Sequence, residues 1–311
     1  MKIMIVGPGA MGCLFGAFFL RAGEEVFFLD KNKKRAEELV RRGIKVEGLT
    51  NFIIKDIKAT VEAEEIKKVD LVILTTKAYS TESAVKNIIP ILDRQTFVLT
   101  LQNGLGNIET IARYVSPQQI IAGVTAEGAT LIDTGYIRHA GRGETIIGAL
   151  PNAEIPLARI KEIIRTFQKA GFKSRFTQDV EGLIWSKVII NVGINALAAI
   201  TGLNNGRLLE FPYTLRIMEE AVREAQKVAE KKKIRLIYAD PVKKVKEVCK
   251  KTYSNISSML QDILRKKKTE VDYINGAIVR EGEKLKLSTP VNALLTDLIK
   301  TIESSYHLKV N

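Results

Sequence analysis

The first hundred residues alternate between short uninterrupted apolar runs and longer stretches in which apolar positions recur every three or four residues. KIMIV (2–6), EVFFL (25–29), VDLVILTT (69–76) and TFVLTLQ (96–102) read as buried strands, and 10–22, 33–42 and 81–92 read as the helices between them. Residues 44–61 alternate with period two and predict a small antiparallel addition, and TIIGAL (145–150) predicts one more strand. Beyond Phe176 only helical periodicity remains, over 179–200, 207–233, 252–283 and 290–304. This order predicts a doubly wound parallel sheet with helices on both faces over residues 1–175, followed by an all-α domain over 176–311. No internal repeat and no low-complexity linker interrupts it.

The chemistry of the first half centres on GPGAMG (7–12), a G-x-G-x-x-G spacing directly after a predicted strand and directly before a predicted helix. In that context Gly7 permits the turn, Gly9 lets the backbone approach a pyrophosphate and Gly12 allows close helix packing. The helix start, at Ala10 and Met11, supplies amide donors, so the half is read as Rossmann-type. Asp30 stands eighteen residues after Gly12 at the end of the second strand, where a carboxylate can accept from an adenosine ribose and repel a 2′-phosphate. The residues after it, Lys31, Asn32 and Lys33, can instead grip such a phosphate, and Asp30 can also serve the start of the next helix. TTKAYS (75–80) and LQNGLGN (101–107) follow the third and fourth strands, where this fold holds ligands, so Lys77 and Asn103 are cofactor-side candidates.

In the second half, KVIINVGINALAAI (187–200) carries Lys187, Asn191 and Asn195 at steps of four, which share one narrow face of an otherwise apolar helix. A lysine on so apolar a helix either snorkels to water or meets an anionic or hydrogen-bonding group. In NISSMLQDILRKKKTEVDYINGAIVREGEKL, Ser258 and Glu270 lie twelve residues apart, which on one continuous helix returns them to one face, either lining a groove with Asn255 or belonging to an ordinary amphipathic helix, and periodicity does not choose between the two.

Composition narrows the class. With 27% charged and 46% hydrophobic residues over 311 positions, the chain suits two soluble domains. Residues 3–20 carry no charge, but the glycines at 7, 9 and 12 break a signal-peptide core, so the expectation is a soluble cytoplasmic protein with no membrane partner. Two distant cysteines, Cys13 and Cys249, form no metal-ligand spacing and fit a reducing compartment. The net charge of +13 is spread over Lys/Glu-mixed helical faces without a nucleic-acid motif, so no nucleic-acid partner is expected.

GPGAMG, TTKAYST, LQNGLGN, WSKVIINVGINALAAITGLNNG and above all NISSMLQDILRKKKTEVDYING resemble the 2-dehydropantoate 2-reductase (ketopantoate reductase) family over nearly the whole chain. Many dehydrogenases share the glycine motif; the last segment together with the Lys-Asn-Asn helix is what marks this family. The resemblance implies NAD(P)H-dependent reduction of the C2 keto group of 2-dehydropantoate to (R)-pantoate, in pantothenate and coenzyme A biosynthesis, with Lys187 as general acid. It implies Asn191, Asn195, Asn205, Asn255 and Ser258 at the substrate, Asn103 serving substrate and cofactor, and Glu270 acting with Lys187 where the two meet. Gly7, Gly9, Ala10, Met11, Gly12, Lys77 and Ala129 are implied on the cofactor side, with Lys31 at the ribose, where Asp30 departs from the family's basic residue after the second strand. It favours NADP through Lys31, while Asp30 keeps NAD open. A homodimer acting on a small keto acid is the expected assembly. Two other readings stay open: a related 2-keto or 3-hydroxy acid dehydrogenase, separable by a panel of keto acids, and a non-catalytic dinucleotide-binding regulator or DNA-binding protein, marked by salt-sensitive binding without turnover.

Overall fold

The structure, a computed structural model, describes residues 1–151 and 153–308, and its chain divides into two compact units, Met1–Gln102 with Asn107–Val180, and Asn103–Gly106 with the residues from Glu181 onward. The first unit runs β1 (Lys2–Val6), α1 (Ala10–Arg21), β2 (Glu25–Leu29), α2 (Lys33–Arg42), β3 (Ile44–Gly48), β4 (Phe52–Ile54), β5 (Lys58–Thr60), β6 (Leu71–Leu74), α3 (Thr81–Ile88) and β7 (Phe97–Thr100). It continues through α4 (Asn107–Ile111), β8 (Ile120–Thr125), β9 (Gly128–Asp133), β10 (Tyr136–Gly141), β11 (Thr145–Ala149), α5 (Leu157–Lys169) and β12 (Ser174–Phe176). Eight strands form one sheet in the order β12-β11-β8-β7-β6-β1-β2-β5, parallel except that β11 and β12 run opposite to the rest. The α/β class with a Rossmann-type sheet is therefore as expected, and β1, β2 and α2 begin and end where the apolar pattern put them.

The period-two stretch 44–61 divides between two sheets. β3 and β4 pair antiparallel in a separate sheet of order β4-β3-β10-β9, whereas β5 adds in parallel to the edge of the main sheet beside β2. This second sheet explains why α1 is apolar all round. One side of the helix meets β2, where a side chain at Gly16 would strike the Phe28 ring, and another meets β3, β9 and β10. Phe18 packs edge-on against Phe52 and His139, while Phe15 and Phe19 join Phe167 of α5 and Phe172 in one aromatic cluster. Residues 3–20 are thus a strand, a glycine turn and a helix enclosed within the unit's core.

The second unit contains α6 (Val180–Thr201, its first residue in the other unit), α7 (Pro212–Lys231), α8 (Pro241–Lys251), α9 (Ser258–Leu264), α10 (Asn275–Lys284) and α11 (Pro290–Ser304). Alone among the described helices, α6 is long and apolar enough to cross a membrane, and 72% of its most apolar window is buried inside the fold. A Cβ at Gly193 would meet Met218, Val222 and Val245, so α6 packs there against α7 and α8. That contact lies about 200° around the helix from Asn191, leaving the polar stripe on the other side. A buried relay fixes α6: Glu224 of α7 accepts from the backbone N–H groups of Val291 and Asn292 at the start of α11. Asn275 donates both to Asn292 Oδ1 and to the carbonyl of Val192.

The expected continuous helix over 252–283 is broken. α9 stops at Leu264, Lys266 takes φ 52°, and its N–H and that of Lys267 donate back to Ile263 and Asp262. This paired back-bonding closes the helix, so Ser258 and Glu270 do not share a helical face. The same motif, again with a lysine in the left-handed position, ends α7 at Lys233 (φ 61°) and α10 at Lys286 (φ 56°). A lysine there is strained by about 1 kcal/mol relative to glycine. The expected result of Lys233→Gly, exposed and remote in sequence from every candidate site residue, is a higher Tm from about 0.5–1 kcal/mol of stabilisation with unchanged kinetics. A lowered Tm in calorimetry would contradict the strain.

Candidate functional site

At the glycine turn, Gly7 has φ +87° and donates to Leu29 O at 2.9 Å, joining the ends of β1 and β2. A Cβ there would lie 2.5 Å from Thr76 Cγ2, and one at Gly12 would lie 2.5 Å from Gly7 O, so both positions exclude any other residue. The Thr75 hydroxyl donates toward Val6 O and Gly7 O at 3.0 and 2.8 Å, bolting the loop after β6 to this turn. By contrast, nothing lies within 4 Å of where a Cβ at Gly9 would stand. The start of α1 there has no capping side chain and no acidic residue in its first turn. Ala10, Met11 and Gly12 thus open a twelve-residue helix whose first amides are left to an outside acceptor, a fit for a dinucleotide's pyrophosphate.

Around this turn, Lys77 is half-buried and opens the 3-10 turn Ala78–Ser80 after β6. Ala129 lies on β9 in the second sheet, opposite His139, partly buried against the unit's core. Asp30 follows β2 with only 4% exposure, and its carboxylate is engaged by its own chain: Oδ1 accepts from Asn32 N (2.8 Å) and Arg35 Nη2 (2.6 Å), and Oδ2 from Arg35 Nε (3.0 Å). The cap of α2 is Asn32, whose side chain accepts from Arg35 N, and Lys31 is exposed. Sequence reasoning missed Arg35, although its place one turn beyond Asp30 was visible in DKNKKR.

In the helical unit, α6 brings Lys187, Asn191 and Asn195 onto one stripe. Asn195 is nearly enclosed and the other two are half-buried. Burial of its ammonium pushes Lys187 down to a pKa of about 8, against the upward pull of the Glu270 carboxylate. Glu270, 5% exposed, opens the 3-10 turn Val271–Tyr273, whose Tyr273 N donates to Glu270 O. The Tyr273 carbonyl accepts from Leu105 N at 2.8 Å, and Gly104, at φ +90°, passes so close that a Cβ would lie 2.5 Å from that oxygen. The Asn103–Gly106 turn is therefore stitched by backbone to the turn that Glu270 begins, which no sequence spacing announces.

Asn205 follows α6 and is 8% exposed. Its N–H donates to Asn255 O and that of Gly206 to Tyr253 O, while the Tyr253 ring covers Gly206 so closely that no side chain fits there. The Thr252 hydroxyl donates to Val248 O at 2.8 Å and so must accept from Asn205 Nδ2 at 3.0 Å. That fixes the amide's orientation and leaves Asn205 Oδ1 a buried acceptor with no hydrogen-bond partner among the described residues. Asn255 contributes its backbone here and its residue is exposed, and Ser258, also exposed, is the first residue of α9 beside the capping Ser257. Cys13 and Cys249 are buried, reduced and pushed up to about 12 by burial, which keeps both thiols protonated.

A family model described as ketopantoate reductase PanE/ApbA matches residues 3–152, and the model of that family's C-terminal domain matches residues 179–303. The 2-dehydropantoate 2-reductase of Pyrococcus horikoshii is 38% identical over 304 residues, spanning 98% of each chain. Among solved structures, D-mandelate dehydrogenase with NADH and anilino(oxo)acetate superposes with a TM-score of 0.91 at 29% identity, covering 99% of this chain and 100% of that one. A PanE/ApbA family ketopantoate reductase from Ralstonia eutropha JMP134 gives a TM-score of 0.89 at 30% identity, covering 98% and 99%. With both halves matched and a full-length relative at this identity, the chain belongs to the ketopantoate reductase family of oxidoreductases.

Proposed function

We propose that this chain reduces 2-dehydropantoate to (R)-pantoate on the route to pantothenate and coenzyme A, as a soluble cytoplasmic homodimer that takes NADPH in preference to NADH. The observation that carries the reading is Lys187, an ammonium held at a pKa of about 8 on a stripe with two asparagines in an otherwise apolar helix. When bound, the nicotinamide supplies a hydride to the C2 carbonyl. Lys187 donates a hydrogen bond to that oxygen, stabilises the charge developing on it and delivers the proton. Glu270 holds Lys187 in its charged form. Asn191, Asn195 and Asn103 orient carboxylate and hydroxyl groups with neutral amides that do not compete for the proton, and Ser258 donates to the substrate carboxylate. Gly7, Gly9, Ala10, Met11 and Gly12 receive the pyrophosphate, with Lys77, Ala129 and Lys31 also on the cofactor side. The carboxylate of Asp30, filled by Arg35 and Asn32, has little left to offer a ribose diol, which supports the preference for NADPH.

Asn205 supports a hydroxylated substrate. Its buried Oδ1 awaits a donor, and the C4 hydroxyl of 2-dehydropantoate is one, whereas trimethylpyruvate, the same skeleton without that hydroxyl, leaves the acceptor unpaired. The expected result of steady-state assays is a preference for 2-dehydropantoate over trimethylpyruvate of at least about 10² in kcat/KM, collapsing in Asn205→Ala. Equal use of both acids by the wild-type protein would sink the substrate assignment. The likeness to D-mandelate dehydrogenase favours, as a second reading, a 2-keto acid with an aromatic side chain, and phenylglyoxylate in the same panel tests it.

A further inference from the structure

We propose that Arg35, aimed by Asp30, is the residue that grips a 2′-phosphate on the adenosine ribose of the cofactor. The proposal rests on the reading that a nicotinamide dinucleotide binds at the glycine turn, and it reverses the effect first expected of Asp30. A bare carboxylate at the end of β2 repels a phosphate. Here the Asp30 side chain is only 5% exposed, while the Arg35 side chain bound to it is 51% exposed. What a ligand meets at this strand end is therefore the guanidinium.

The geometry suits a phosphate. Arginine has five N–H donors in a rigid fork. Asp30 takes one from Nε and one from Nη2, which fixes the plane of the group. Three donors remain, and Nη1 makes no hydrogen bond among the described residues. A guanidinium held along one edge presents its other edge at little entropic cost, the arrangement that recognises phosphate oxygens in pairs. Lys31, Lys33, Lys34 and Arg35 are all exposed on this segment, and of the neighbouring carboxylates Glu65 accepts from the Thr60 hydroxyl beyond β5. Asp30 is thus a positioning residue that acts through Arg35. Its N–H also donates to Thr60 O at 3.0 Å, tying the strand end to β5 and giving the pair a fixed base.

Titration calorimetry with adenosine 2′,5′-bisphosphate and with adenosine 5′-monophosphate (AMP) tests this without any turnover, because the two ligands differ only at the 2′ position. The wild-type protein is expected to bind the bisphosphate at least about 10-fold tighter than AMP. Arg35→Gln should remove that difference and leave AMP affinity unchanged. Arg35→Lys should restore it only in part, because one ammonium cannot pair with Asp30 and grip a phosphate in the same way. Asp30→Asn should weaken the bisphosphate and spare AMP. The proposal is overturned if Arg35→Gln keeps the wild-type ratio, if both ligands weaken together in it, or if Asp30→Asn binds the bisphosphate more tightly, as a merely repelling carboxylate requires. Failure of the wild-type protein to bind either nucleotide overturns the dinucleotide reading, and this proposal with it.

Discussion

Replacing Lys187 by alanine is expected to lower kcat for 2-dehydropantoate reduction by about 10² to 10⁴, the usual worth of a positioned general acid. The loss should appear in kcat and kcat/KM together, because the ammonium acts on charge that exists only as the carbonyl oxygen becomes an alkoxide. It should not come from unfolding. Alanine is the strongest helix former and its introduction relieves the desolvation cost of the ammonium, while the buried Glu270 carboxylate loses its counter-charge, so a folded protein with a lowered Tm is expected. Unchanged cofactor binding by that folded variant is therefore part of the expected result. Turnover equal to wild type would remove Lys187 from the reaction.

The pH dependence gives the second large effect. A lysine with a pKa of about 8 is protonated below that value, so kcat/KM for reduction should be level at lower pH and fall about tenfold per unit above about 8. Glu270 works in the opposite direction from burial by raising that pKa. In Glu270→Gln the pull is gone while the shape is kept, so the falling limb moves to lower pH. At the pH where wild type is still level, the variant already loses activity. A limb that stays in place, or one that moves to higher pH, would show that Glu270 does not hold Lys187 charged.

How much of this was readable beforehand follows from the range of the forces involved. β1, β2, α2 and α11 matched their expected bounds because an apolar run or a 3.6-residue stripe is a local signal. α5 and α8 carry local signals too, Ile160, Ile163, Ile164 and Phe167 on one stripe and Asp240-Pro241 at a helix start, although neither is among the expected helices. The break after α9 was a different matter: its stop lies in a lysine at φ 52°, a position where glycine is the usual sign. In the site, the stripe of Lys187, Asn191 and Asn195 could be read from spacing alone. The tuning of Lys187 by Glu270, the orphaned oxygen of Asn205 and the Arg35 grip on Asp30 could not. Each depends on where a second side chain lies in space, and for Asn205 on which way the Thr252 hydroxyl donates.

The most direct measurement is oxidation of NADPH by the purified protein, followed by the absorbance of the reduced coenzyme as 2-dehydropantoate is added. The account predicts no oxidation before the addition, one coenzyme consumed per keto acid after it, and pantoate as the product. Steady turnover of phenylglyoxylate or trimethylpyruvate with none of 2-dehydropantoate, or no turnover of any keto acid, would contradict it.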